Sequence, residues 1–214
     1  MSNGKLLVFE GIDGSGKSTL SKAVATALAQ LALDQWQWAT YPSPDTPIGR
    51  LIRQTFDGTV VIGKEAMLWL FTAEAVDGDQ QTRKLLADGV SLVLDRHALC
   101  SAQIYQGEVH SLNVISMVQA PWSFVPPDFL FIVDVPATVA LSRSRRRDKP
   151  VDLMYEDSDD AAFLSRLTTR REDYLALSWP FRKRDTYKKV ILDGTQPLAQ
   201  LVDQVVALVT SCRV

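Results

Sequence analysis

Cysteine is nearly missing from this chain: Cys100 and Cys212 are the only two among 214 residues, far apart and without metal-type spacing. That excludes a disulfide-stapled scaffold, and both read as ordinary reduced thiols. Long apolar runs are missing too. No stretch reaches the roughly 20 uninterrupted apolar residues of a membrane span. The sequence begins with a strand-like run rather than a signal peptide, so a cytoplasmic location is expected. Nor is there an excess of charge: 23 basic against 25 acidic residues leave a net −2, which gives no general attraction to nucleic acid or anionic membranes. Internal repeats, linkers and low-complexity tracts are absent. With 46% hydrophobic and 22% charged residues, 214 residues suffice for one large core, and a single domain over 1–214 is the expectation.

What is present is concentrated near the start. An apolar run ending at Glu10 leads straight into Gly11-x4-Gly16-Lys17-Ser18 and then into a helical pattern. That order of strand, glycine-rich loop and helix is the context a phosphate-binding loop requires. Gly11, Gly14 and Gly16 let the backbone turn tightly enough to aim successive N–H groups at one anion, and the helix that follows adds its positive end. The binding stretch is therefore Gly11, Ile12, Asp13, Gly14, Ser15, Gly16, Lys17, Ser18 and Thr19. Lys17 is expected to reach the outer phosphates of a nucleoside triphosphate, and Ser18 a magnesium ion.

Further along, short β-like runs alternate with longer helix-like ones. Strands are expected at Leu6 to Glu10, Trp36 to Tyr41, Ser91 to Asp95, Phe129 to Val135 and Lys189 to Leu192. Most are continuously apolar, as strands covered on both faces are, which points to an α/β fold: a five-stranded parallel sheet flanked by helices on both faces. Helices are expected near 17–32, 47–56, 64–88 with a break near Gly78, 97–119 in pieces, 136–147, 159–178 and 197–211.

A second constellation sits where the third strand ends, in Asp95, Arg96 and His97. Ligands of open parallel sheets collect at the carboxyl ends of the strands, so Asp95 and Arg96 are directed to the same crevice as the loop. There Asp95 can hold magnesium through water and Arg96 can clamp a phosphate; a structural ion pair is the bland alternative. His97 reads as a partly exposed packing residue. The third constellation is the basic run from Arg143 through Arg147 to Lys149, followed by acidic residues. It is either a solvated helix face or a lid over about 143–158 that delivers arginines, Arg143 and Arg147 among them, to a transferring phosphoryl group while excluding water.

Taken together these residues resemble the thymidylate kinase family over nearly the whole chain. The resemblance is carried by Phe9 to Thr19, Tyr41-Pro42, Leu70 to Ala73, Asp95-Arg96-His97 with Tyr105-Gln106-Gly107, Pro127-Asp128, and Asp152 to Glu156. It implies a P-loop nucleoside monophosphate kinase that moves the γ-phosphoryl of Mg-ATP to dTMP, usually as a homodimer. By the same resemblance Asp13 helps hold magnesium or orients the donor and acceptor phosphates. Phe71 stacks on the acceptor base, Arg96 grips its phosphate, Tyr105 lies near the deoxyribose, and Tyr41 belongs to the acceptor side. Read without the resemblance, Phe71 is a core aromatic at helical spacing. Tyr174 and the tryptophans Trp36 and Trp38 read as surface or packing residues.

Two positions depart from the family pattern, both on the acceptor side. Pro44 stands where an arginine binds the monophosphate, and Ala75 where an arginine hydrogen-bonds the thymine carbonyl. Neither replacement can supply a guanidinium's charge or its directional donors. Arg50 or Arg53 are the candidates to compensate, and Glu74, Gln80 or Gln103 could read a different base edge. Between Asp95 and Tyr105 the chain is also one residue longer than the usual pattern.

Overall fold

The computed structural model describes residues 4–31, 35–106, 124–146, 159–177 and 187–211. In chain order the elements are β1 (Leu6–Glu10), α1 (Lys17–Gln30), β2 (Gln35–Thr40), α2 (Pro47–Phe56), α3 (Lys64–Ala87), β3 (Val90–Asp95), α4 (Ala98–Gln106), β4 (Phe129–Asp134), α5 (Ala137–Arg145), α6 (Asp160–Ala176), β5 (Lys188–Asp193) and α7 (Leu198–Ser211). The five strands form one sheet in the order β2-β3-β1-β4-β5, with every neighbouring pair parallel. The α/β architecture expected from the alternating runs is thus the one observed.

The apolar continuity of the central strands follows from what covers them. Side chains alternate across a strand, so Leu6 and Val8 enter one layer and Leu7 and Phe9 the other. The first layer joins them to Leu92, Leu94, Leu130 and Ile132, and to Met67, Leu68 and Phe71 of α3, Leu99 of α4 and Phe163 and Leu167 of α6. The second joins Val93, Phe131 and Val133 to Leu20, Val24 and Leu28 of α1 and Leu201, Val205 and Val209 of α7. Phe131 lies between Phe9 and Phe129, with centroids 4.9 and 5.4 Å away. The outer strands differ. β2 alternates Gln and Trp, and Trp36 and Trp38 pack on the second layer. β5 is an edge whose Ile191 is more than half exposed.

The expected break in the third helix is not there: α3 runs unbroken from Lys64 to Ala87 through Gly78. The glycine answers to packing rather than to chain reversal. The Tyr41 ring lies against the helix at Gly78, so that a Cβ there would stand 3.1 Å from two ring carbons. In the 97–119 region the structure describes α4 as far as Gln106. The rest of that region, and the basic and acidic stretch from Arg147 to residue 158, lie outside the described residues.

All four β–β registers bring the carboxyl ends of the strands to one edge. Phe9 and Thr40 are both level with Asp95, Glu10 with Ile132, and Asp134 with Asp193. The glycine-rich loop, Arg96 and Asp134 therefore share a rim, which is where an open parallel sheet presents its ligand crevice.

Candidate active site

The loop between β1 and α1 adopts the conformation its glycines permit. Gly11, Gly14 and Gly16 have φ of 147°, 83° and 94°. At Gly14 a Cβ would also collide with the Ala140 carbonyl of α5, so this position is closed to side chains twice over. Ser15 N–H donates to Ile12 O (3.1 Å), closing the turn. Lys17 is buried, its ammonium 3.3 Å from Ile12 O and 3.4 Å from the Asp13 carboxylate. Burial, with Arg96 nearby, lowers its pKa, and Asp13, Asp95 and Glu10 oppose that shift. A nucleotide phosphate would thus meet a cation already held under the loop.

Arg96 is where the sequence's separate constellations meet. Its Nη2 donates to Asp13 Oδ1 at 2.6 Å, its Nη1 to the Tyr174 hydroxyl at 2.5 Å, and Glu10 Oε2 is 3.5 Å from Nη1. Against the desolvation that comes with this position, Arg96 and Lys17 hold the Asp13 carboxyl below the usual range. Burial pushes Glu10 up to about 7 despite the same cations. Asp95 is buried at the end of β3, and its Oδ1 has no hydrogen-bond partner. Ser15 Oγ is likewise buried without a hydrogen-bond partner, and Glu10 Oε2 has only its ion pair with Arg96. Such orphans are rare in folded proteins. Two of them, Asp95 Oδ1 and Ser15 Oγ, at the rim of one glycine-rich loop are what a polar ligand would satisfy.

Two readings are corrected here. His97 is buried rather than partly exposed; burial lowers its pKa to about 4, and its neutral Nδ1 accepts from Leu99 N–H at 3.1 Å. Tyr174, expected on a helix surface, is buried and holds Arg96. The missed signal is the buried stripe of α6: Phe163, Leu167, Arg170 and Tyr174 recur at helical spacing. On the same helix Arg170 donates to Ile104 O at 3.0 Å, and Arg171 grips Asp134 at the end of β4 with bonds of 2.6 and 2.8 Å.

On the loop's other flank Arg143 donates to Ser15 O (3.2 Å) and, through both terminal nitrogens, to Gly194 O (3.1 Å each). That places it beside the phosphate loop and the turn after β5. Arg147 lies outside the described residues.

On the acceptor side Arg50 and Arg53 both lie against the loop between β2 and α2. Arg50 donates to the carbonyls of Pro44 (3.4 Å) and Asp45 (3.0 Å), and Arg53 Nε to that of Pro42 (2.7 Å). Tyr41 is tied at both ends: its N–H to Asp95 O at 3.0 Å, and its hydroxyl to Thr82, with burial raising its pKa to about 12. Phe71 and Tyr105 are brought together, centroids 5.5 Å apart, and both rings are buried in the main core. Ala75 is 2% exposed in that same core. The space an arginine would need is therefore filled. Ala75→Arg is expected to destabilise by at least about 1–3 kcal/mol through overpacking, with no gain in thymidylate affinity; thermal melting beside a dTMP titration checks both.

Glu74, next in sequence, is also buried. Its Oε1 accepts from Ser43 N–H at 2.6 Å, while Oε2 has no partner. Burial raises its pKa from 4.5 to about 7. Between those values the folded protein holds a proton that the unfolded chain has released, so this group's contribution to stability falls as pH rises from about 4.5 through 7. Glu74→Gln keeps the bond to Ser43 and removes the charge. Its stability relative to wild type is expected to improve by on the order of 1–3 kcal/mol between pH 5 and pH 8, read from paired denaturant titrations.

Magnesium fits the residues at the loop. Among the described residues no group of three or more acidic, histidine or cysteine side chains forms a metal cage. Nucleotide-bound magnesium needs none, since it takes one or two protein ligands and completes its shell with phosphate and water. Ser18 in the first turn of α1 and the unpartnered Asp95 Oδ1 match that requirement.

Fold, loop and rim together define a P-loop phosphotransferase. Comparison with known proteins narrows the class. The profile of the family described as "Thymidylate kinase" matches residues 9–205. Two curated thymidylate kinases of Leptospira interrogans, from serovar copenhageni and serovar Lai, are each 32% identical over 143 residues, 66% of this chain and 69% of theirs. The solved thymidylate kinase of Candida albicans superposes with a TM-score of 0.73, covering 99% of this chain and 93% of its own, at 21% identity, and so speaks for the fold. This chain belongs to the thymidylate kinase family, and it is a nucleotide kinase.

Proposed function

We propose that the protein transfers the γ-phosphoryl group of Mg-ATP to a pyrimidine deoxynucleoside monophosphate, with dTMP giving dTDP the first choice. The observation that carries this reading is the cluster at the loop's mouth, where Arg96 touches Asp13 while Lys17 stands 3.4 Å from the same carboxylate. A donor phosphate on the loop amides and Lys17 would lie beside an acceptor phosphate on Arg96, and an acceptor oxygen would then attack the γ-phosphorus as the bond to the β-phosphate oxygen breaks. Ser18 and the buried Asp95 would hold a magnesium ion, which would supply neutralisation of the charge on the transferring phosphates. A monophosphate oxygen is nucleophilic without a strong base, and a neutral, buried His97 is consistent with none being used. Alignment and charge stabilisation then make up most of the catalysis. By family resemblance the working unit is a cytoplasmic homodimer, which sedimentation of the purified protein would test for oligomeric state.

A second reading keeps the donor half and changes the acceptor to a modified pyrimidine deoxynucleotide or a hydroxymethylated base in DNA. Pro44 and the buried Ala75 favour it, because Arg50 and Arg53 are both held by backbone carbonyls. Steady-state kinetics with Mg-ATP against ribo- and deoxynucleoside monophosphates, modified pyrimidines and modified DNA separate the two. Saturable turnover of dTMP supports the first, and rejection of dTMP beside transfer to another acceptor supports the second. Tight Mg-ATP binding with no transfer at all would contradict both and leave a nucleotide-binding module.

A further inference from the structure

Among the described residues Arg96 is the one non-glycine residue with a positive φ, 70°. A side chain of this size rarely adopts that conformation, and it persists where neighbouring groups fix it. Both groups that do so come from the last two residues of β1. Arg96 N–H donates to Phe9 O at 2.9 Å, and the next amide, His97 N–H, donates to Glu10 Oε1 at 2.9 Å. Glu10 is fully buried, in a strand whose other residues are apolar. Burying a carboxyl is unfavourable, and an apolar residue would fill the strand as well. Its second oxygen faces the guanidinium at 3.5 Å.

We infer that Glu10 is a positioning residue for Arg96: it clamps the left-handed turn after β3 and thereby sets the phosphate-gripping guanidinium relative to the phosphate loop that begins at the very next residue, Gly11. The strand that launches the donor loop also fixes the acceptor clamp, so the two phosphates are aligned through one side chain. This rests on the reading of Arg96 as the acceptor-phosphate clamp.

The test compares Glu10→Leu, Glu10→Gln, Arg96→Ala and the pair Glu10→Leu/Arg96→Ala, with Mg-ATP and dTMP, alongside crystal structures of the two Glu10 variants. Glu10→Leu is expected to lower kcat by about 100-fold, the scale of a misplaced clamp, with KM for Mg-ATP within about twofold and Arg96 relaxed to negative φ. Glu10→Gln keeps an oxygen for His97 N–H, so it should retain the positive φ and recover most of that loss. In the Arg96→Ala background Glu10→Leu should have no further effect on turnover. Unchanged turnover in Glu10→Leu, an additive loss in the pair, a Gln variant as impaired as the Leu variant, or a positive φ retained in Glu10→Leu would each overturn the inference. If Glu10→Leu does not fold, Glu10→Leu/Arg96→Gly should, because glycine takes this φ unaided; failure of that pair would overturn it too. Normal turnover in Arg96→Ala would instead sink the reading of Arg96 itself, and if dTMP is not turned over the backbone angle at residue 96 still decides.

Discussion

Arg96→Ala is expected to reduce ATP-dependent phosphoryl transfer by on the order of a thousandfold or more, the range found for arginines that neutralise a transferring phosphoryl group. Mg-ATP binding should change little. The reasons lie in what Arg96 touches. Its donors reach Tyr174 and the Asp13 carboxylate, which Lys17 also approaches, and Glu10 lies against it, whereas the Ser15–Ile12 turn of the loop and the contact of Lys17 with Ile12 O do not involve it. Removing it is expected to leave that turn and Lys17 in place and, on the proposed role, to deprive the acceptor phosphate of its cation. Removing it also takes the main counter-charge from Asp13 and Glu10, so a loss of thermal stability should accompany the loss of turnover. Equilibrium binding of a fluorescent ATP analogue, measured beside single-turnover kinetics, separates the two effects. Normal turnover in this variant would contradict the role.

Lys17→Ala should be comparably damaging but with a different signature. Lys17 is buried under the loop, within 3.4 Å of Asp13 and 3.3 Å of Ile12 O, so its ammonium is held at the loop proposed to take the donor phosphates. Its loss is expected to lower kcat by about 100-fold or more, as for other preorganised charges at a reacting centre, and to weaken Mg-ATP binding as well. The contrast is the informative part. Arg96→Ala should spare donor binding and Lys17→Ala should not, and kcat with KM for ATP reports both. If Lys17→Ala left the ATP affinity unchanged, the assignment of the donor phosphates to this loop would be wrong.

Much of the fold is legible because its physics is local or periodic. β1, β3 and β4 are mostly apolar runs that end in an acid, with Ser91 the one polar residue within them, since each lies between two helical layers, and Gly11, Gly14 and Gly16 announce a turn that only glycine can make. What the sequence misled on depends on contacts between distant segments. Gly78 looks like a helix break but is a seat for Tyr41, 37 positions earlier. Tyr174 looks like a surface residue because its partner, Arg96, is 78 positions away. His97 is buried, with the Tyr41 ring 5.8 Å from its own and Glu10 of β1 on its backbone N–H, neighbours no window around residue 97 contains.

The acceptor side shows the same limit more sharply. Pro44 and Ala75 are visible as departures from the family pattern, yet whether a neighbouring arginine makes good the loss depends on where Arg50 and Arg53 point. Both point at backbone carbonyls of the 42–45 loop. Glu74 could be suspected of reading a base edge, but one of its oxygens holds Ser43 and the residue is buried. Such facts follow from how α2, α3 and the loop between β2 and α2 pack, which residue types alone do not specify.

The most direct measurement is the stoichiometry of phosphoryl transfer: γ-labelled Mg-ATP, purified protein and dTMP, with ADP and labelled dTDP followed together. The expected result is one dTDP for each ADP, at a rate that saturates with dTMP and disappears in Arg96→Ala. ADP formed without a labelled acceptor, for dTMP and for every other monophosphate or modified-DNA acceptor tried, would contradict phosphoryl transfer as the work of this site.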